Sequence, residues 1–169
     1  MSRFIVVLAT LTLAAAALVT PAPPATGAPP ASGEDLAIII NRSNPVGDIS
    51  HADLRRIFLA EQQHWPNGRR MTVVMQGGGR PERAAVLRGV YRMSEQDYEK
   101  HFLRAEFTGE VRGAPKTVAS GASARKFVYN VPGAIGYVRA SEVDDSVKVV
   151  AVGGSRPGEP GYRLKVSGR

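Results

Sequence analysis

The residues best placed to do chemistry surround a run of glycines, Gln76-Gly77-Gly78-Gly79-Arg80-Pro81-Glu82-Arg83. Glycine lets a backbone turn sharply and leaves its amides uncovered by side chains. Pro81 suits the first turn of a helix, where its missing N–H costs nothing. Free amides and the helix dipole at such a start attract an anion, and Arg80 and Arg83 add charge beside them. The chemistry this predicts is capture of a small oxyanion. The pattern matches neither the phosphate loop, which needs Lys and Ser/Thr after its glycines, nor the dinucleotide fingerprint. A plain strand-to-helix turn is the competing reading.

Asn41 and Ser43 are expected to join the turn. They follow the apolar run Leu36–Ile40 at its carboxyl end, and in open α/β sheets ligands bind at that edge. The predicted anion-binding set is therefore Asn41, Ser43, Gln76, Gly77, Gly78, Gly79, Arg80 and Arg83. No catalytic constellation accompanies it. His51, His64 and His101 are scattered without metal-ligand spacing, and the chain has no cysteine. No nucleophile has a base within reach in the pattern, so no enzyme, metal or cofactor is predicted. His51 and His64 read as surface or turn residues, and His101 as solvated. Ser120 and Ser123 read as helix-capping hydroxyls, and the single tryptophan, Trp65, as core or turn packing.

These residues need elements to position them. Leu36–Ile40 is short, continuous and β-branched, which predicts a buried, central, parallel strand. Ser50 with Asp53 predicts a helix from His51 with Leu54, Ile57 and Phe58 buried. Thr72–Met75 reads as the strand feeding the glycines. A helix from Pro81 to Tyr91 should bury Val86, Leu87 and Val90, leaving Arg83, Arg88 and Arg92 solvated. Ser94 and Asp97 cap the next, ending near Phe107, with Tyr98, Phe102, Leu103 and Ala105 on its apolar side. Residues 110–116 read as polar loop. A helix ending at Asn130 should bury Ala124, Phe127 and Val128, and strands follow at 134–138 and 147–152. Tyr162–Val166 is a candidate edge strand. Strands alternating with helices predict an α/β sandwich.

Composition bounds the partners. Arg3 precedes an apolar run, Phe4–Val19, and a Pro/Ala-rich stretch, which predicts a signal peptide over residues 1–28 and a linker over 29–33. Ala17, Ala22, Ala25 and Ala28 are candidate cleavage positions, and a membrane anchor is the alternative. The formal charge is +7, and without Arg3 it is +6. The predicted domain, 34–153, and a basic tail, 154–169, thus favour anions. Nucleic acid is not predicted, because the few aromatics serve helix core faces rather than interleaving with the basic residues.

Three stretches in order carry a family resemblance. Leu54-Arg55-Arg56-Ile57-Phe58-Leu59-Ala60 with Trp65-Pro66-Asn67-Gly68 is similar to L-x-x-I-F-x-G and W-x-D/N-G. The strand Thr72–Met75 with its glycine turn comes next. Asn130-Val131-Pro132-Gly133-Ala134-Ile135-Gly136-Tyr137-Val138 is close to N-P-G-A-I-G-Y-V. Over roughly residues 35–140 the chain resembles the phosphate-type substrate-binding proteins of ABC transporters, in the type 2 periplasmic-binding-protein superfamily. The resemblance implies a three-layer α/β lobe with a mixed, mostly parallel sheet, in a periplasmic or secreted protein binding phosphate or another small oxyanion for uptake. The chain departs from the family twice. It has the length of one lobe where full members clamp the anion between two. It also carries Gln76–Arg80 where phosphate-binding members place an Arg and a Ser-Gly-Thr. Ala60 stands where the motif has glycine. The alternative expectation is a ligand-free protein-interaction module, a homodimer or the partner of an envelope protein, built on the same lobe.

Overall fold

The computed structural model describes residues 33–111 and 113–167; the expected signal peptide lies outside them. In chain order the elements are β1 (Leu36–Asn41), β2 (Asp48–Ile49), α1 (His51–Phe58), β3 (Thr72–Gln76) and α2 (Pro81–Val86). The last continues as a π-helical segment, Leu87–Tyr91. Then come α3 (Glu95–Phe107), β4 (Lys116–Val118), α4 (Gly121–Asn130), β5 (Ala134–Arg139), a 3-10 turn (Ala140–Glu142) and β6 (Val147–Val152).

The six strands form one sheet in the order β2-β6-β1-β5-β3-β4. β1 is central as expected, but it runs antiparallel to both neighbours, β5 and β6. The expected parallel orientation is corrected. An all-apolar strand reports burial on both faces, and helices on both faces supply that burial whichever way the strand runs. The remaining contacts, β2 with β6, β3 with β5 and β3 with β4, are parallel. Five strands therefore end on one edge of the sheet, and only β1 begins there.

Alternation along β1 divides the core. Leu36, Ile38 and Ile40 join the larger cluster with α1, α2, the π-helical segment and α3. Ala37 and Ile39 pack on the other face with Ala124 and Val128 of α4. The result is a three-layer α/β lobe. Ser50 and Ser94 cap α1 and α3 through the amides of Asp53 and Asp97, as their spacing predicts. Trp65 is buried and donates to the Gly133 carbonyl at 3.0 Å, tying two of the three sequence stretches together.

Several expectations need correction. Leu103 is exposed, because α3 buries only the stripe of Tyr98, Phe102 and Ala105. Phe127 is half-buried. Lys116 opens β4 on the sheet edge beside β3 rather than lying in a loop. His101 is half-buried against the Phe102 ring, and its Nε2 is buried without a partner among the described residues. The candidate edge strand at 162–166 reduces to a single antiparallel bridge, Asp35 to Lys165. Its alternate residues Tyr162, Leu164 and Val166 are nevertheless buried in the larger cluster.

Candidate functional site

The turn after β3 forms where the sequence places it. Gly77 still belongs to the sheet, donating its amide to Val118 O at 2.9 Å. Gly79 has φ of 77°, the left-handed backbone that glycine adopts without a Cβ clash. Arg80 is then the extended N-cap of α2, with Pro81 at N1. Among the described residues, the amides of Gly78, Gly79 and Arg80 have no protein acceptor. Gly78 and Gly79 are exposed, with open space where a Cβ of either would stand. The Arg80 Nε donates to Ala119 O at 2.9 Å, which holds the guanidinium beside the turn.

The other predicted members are committed elsewhere. Asn41 is buried and closes the end of α4, donating Nδ2 to Val128 O at 2.9 Å and Tyr129 O at 2.7 Å. Its Oδ1 accepts from the Ser43 amide and hydroxyl. Because β1 is reversed, Asn41 pairs level with the start of β5, whereas Gln76 ends level with Ala37. The two are separated by four residues of strand, roughly 13 Å. The structure therefore does not bring Asn41 and Ser43 to the glycine turn. Gln76 is buried; its amide donates to the Tyr137 hydroxyl at 3.0 Å and its side chain to Tyr137 O at 3.2 Å. This bridges β3 to β5 where their ladder stops.

Arg83 is buried, against the expectation of a solvated face. Its Nη1 donates to Gln76 O at 3.0 Å, and Nε and Nη2 grip the Glu95 carboxylate at 2.5–3.0 Å. The guanidinium lies 4.7 Å from the Tyr98 ring centroid. Burial alone would lower its pKa, but the Glu95 hydrogen bonds and charge outweigh that and raise it. Arg83 thus fixes the strand-to-helix angle and offers no donors to a ligand.

A charge cluster that the sequence did not reveal lies on the same edge. Arg139, at the end of β5, bridges Glu82 in the first turn of α2 and Glu34 at 2.7 Å. Glu82 is buried, and its second oxygen has no partner among the described residues. The Ser141 hydroxyl and Arg139 hold the Glu34 carboxyl below its ordinary pKa, and both carboxylates raise Arg139. Glu142 places its carboxylate against Gly121 at the start of α4, in space that a Cβ there would fill. A carboxylate is favoured at that helix N-terminus. The partners of Glu82 and Glu34 are 57 to 107 residues away in sequence, so no local spacing signals them. The start of α4 holds the Glu142 carboxylate, and the 3-10 turn donates its Ser141 amide to Glu34. The start of α2 carries Glu82 in its first turn, while the amides of Gly78, Gly79 and Arg80 before it have no protein acceptor among the described residues. Among the described residues no group of three or more His, Cys, Asp or Glu could hold a metal ion.

The fold has solved counterparts. The chain superposes with a TM-score of 0.61 on a candidate phosphate ABC transporter substrate-binding protein with bound phosphate from Clostridium perfringens, at 23% identity. It superposes at 0.59 and 19% on an ABC-type phosphate transport receptor from Vibrio cholerae, and at 0.58 and 15% on PstS from Borrelia burgdorferi. Each match covers 73% of this chain but only 47–49% of the other. The chain therefore spans about half the length of the structures it matches, and it has the fold of a lobe of such a protein. No family model and no curated protein matches it.

Proposed function

We propose that residues 34–153 form an exported solute-binding module of the periplasm or cell exterior that takes a small oxyanion, phosphate above all, for ABC-type uptake. The observation that carries this reading is the row of amides at exposed Gly78 and Gly79 and half-buried Arg80 without a protein acceptor among the described residues, with the Arg80 guanidinium beside them. The phosphate-bearing neighbour supports the choice of ligand. The turn has no hydroxyl donor of its own and its glycines are exposed, so binding is weak, on the order of millimolar. Neither a metal nor a catalytic group is needed, and the module is not an enzyme. Calorimetric titration of phosphate into the folded full chain tests the reading. Gly78→Asp sets a carboxylate in open space over the amides, and it should abolish heat attributable to the turn. Equal phosphate binding by wild type and Gly78→Asp would remove the turn as the site.

One observation favours a second reading, a ligand-free interaction module. Glu142 already sits at the start of α4 and Glu82 in the first turn of α2, so part of the edge is self-neutralised. Exposed Leu103, Phe107 and Tyr129 would then contribute to a homodimer or an envelope-protein complex. Sedimentation that shows only monomer at micromolar concentration would count against the homodimer.

A further inference from the structure

A second concentration of positive charge lies away from the glycine turn. His51 and Arg55 of α1, Gly89 and Arg92 at the end of the π-helical segment, and Arg163 and Leu164 of the tail line a cavity of about 460 Å³. Three arginines from three separate parts of the chain thus line one cavity. The ion pairs among the described residues use Arg56, Arg83, Arg125, Arg139 and Lys165, and none uses Arg55, Arg92 or Arg163. None of these three side chains makes a hydrogen bond to another described residue either. Elsewhere the half-buried or buried Arg83, Arg125 and Arg139 each have a carboxylate and Arg80 has the Ala119 carbonyl, whereas half-buried Arg55 and exposed Arg92 and Arg163 have neither among the described residues. Like charges gathered around one concavity without a counterion repel one another, and a bound anion relieves that cost.

The walls are built rather than accidental. Leu164 is buried, and a Cβ on Gly89 would come within 3.0 Å of its Cδ2, so the tail seats directly on the π-helical segment. Arg92 has φ of 56°, a left-handed backbone that a long side chain rarely adopts. π-Helical insertions recur at functional sites, and this one delivers Gly89 and Arg92 to the cavity. A volume of about 460 Å³ falls within the range of small-molecule pockets.

We infer that this cavity is a second anion site, which takes a phosphate-bearing molecule with at least two negative charges. Guanidinium groups bind phosphate oxygens bidentately, and three of them match a di- or trianion better than a single carboxylate. The inference goes beyond the glycine turn, whose residues take no part in it. The phosphate could belong to a free solute or to a lipid headgroup, and two probes separate these sources.

The experiment titrates the folded full chain with inorganic pyrophosphate by calorimetry, and with phosphatidic acid vesicles against phosphatidylcholine vesicles by co-sedimentation. Arg55→Ala/Arg163→Ala should weaken the productive arm by about tenfold or more. Arg56→Ala removes one charge from the same helix outside the cavity and should leave binding within about twofold. Gly78→Asp should likewise leave it intact, which separates this site from the turn. All substituted arginines reach solvent, so an unchanged thermal midpoint verifies folding. Loss in the pyrophosphate arm supports a free solute, and loss in the vesicle arm supports a headgroup. No binding in either arm, or equal weakening by Arg56→Ala and the double variant, would overturn the inference.

Discussion

Ala60 shows how a single residue can sit against its backbone. It follows the C-cap of α1 with φ of 60°, while the Glu61 amide bonds to Arg56 O at 2.9 Å. This is the helix-ending position that glycine favours, and the resembling motif has glycine there. Ala60→Gly relieves the Cβ clash but adds unfolded-state freedom. The net expectation is stabilisation by about 0.5–1 kcal/mol, read as a higher thermal midpoint. Arg83 is the opposite case, a charge fully used. Arg83→Ala would remove the buried guanidinium from the Gln76 carbonyl and from the Tyr98 ring, while half-exposed Glu95 is left to solvent, and it should cost about 1–3 kcal/mol in a denaturant titration. A cost below about 0.5 kcal/mol would show that the pair only decorates the surface.

At the scale of elements, the glycine turn, the capped helices and the strands β1, β3, β5 and β6 were legible from local spacing, whereas the short β2 and β4 were not. Ser50 with Asp53 and Ser94 with Asp97 mark helix starts three residues apart, and Pro81 marks another. Strand direction was not legible. Nothing in Leu36–Ile40 says that its partners, β5 and β6, arrive about 100 residues later and run against it. That one reversal carries Asn41 and Ser43 away from the turn. The Glu34–Arg139–Glu82 bridge was hidden for the same reason, since β5, α2 and the first described residues meet only in the fold. The bridge gives a pH prediction. Folding lowers the Glu34 pKa, so its contribution to stability is complete above the unfolded value and is lost as pH falls through the folded one. The thermal midpoint of Glu34→Gln should therefore lie below wild type at neutral pH, with the gap closing below about pH 4. A gap that stays constant into acid would exclude the charged bridge as its cause.

At the scale of the whole molecule, the exposure of the glycine turn sets how tightly it could hold an anion. In a clamp the anion is enclosed between two walls, and desolvation strengthens every hydrogen bond to it. Here Gly78 and Gly79 are exposed and Arg80 is half-buried. On the proposed reading, a homodimer or a partner that covers this edge would raise affinity as well as bury apolar surface. The central claim is that the turn itself holds the oxyanion, and amide proton and nitrogen shifts report it directly. Titrating phosphate into the labelled protein should move the Gly78, Gly79 and Arg80 amides together along one saturable curve, while Gly77, already bonded to Val118, moves little. Unmoved turn amides at saturating phosphate, in a protein whose other resonances show it folded, would contradict the account.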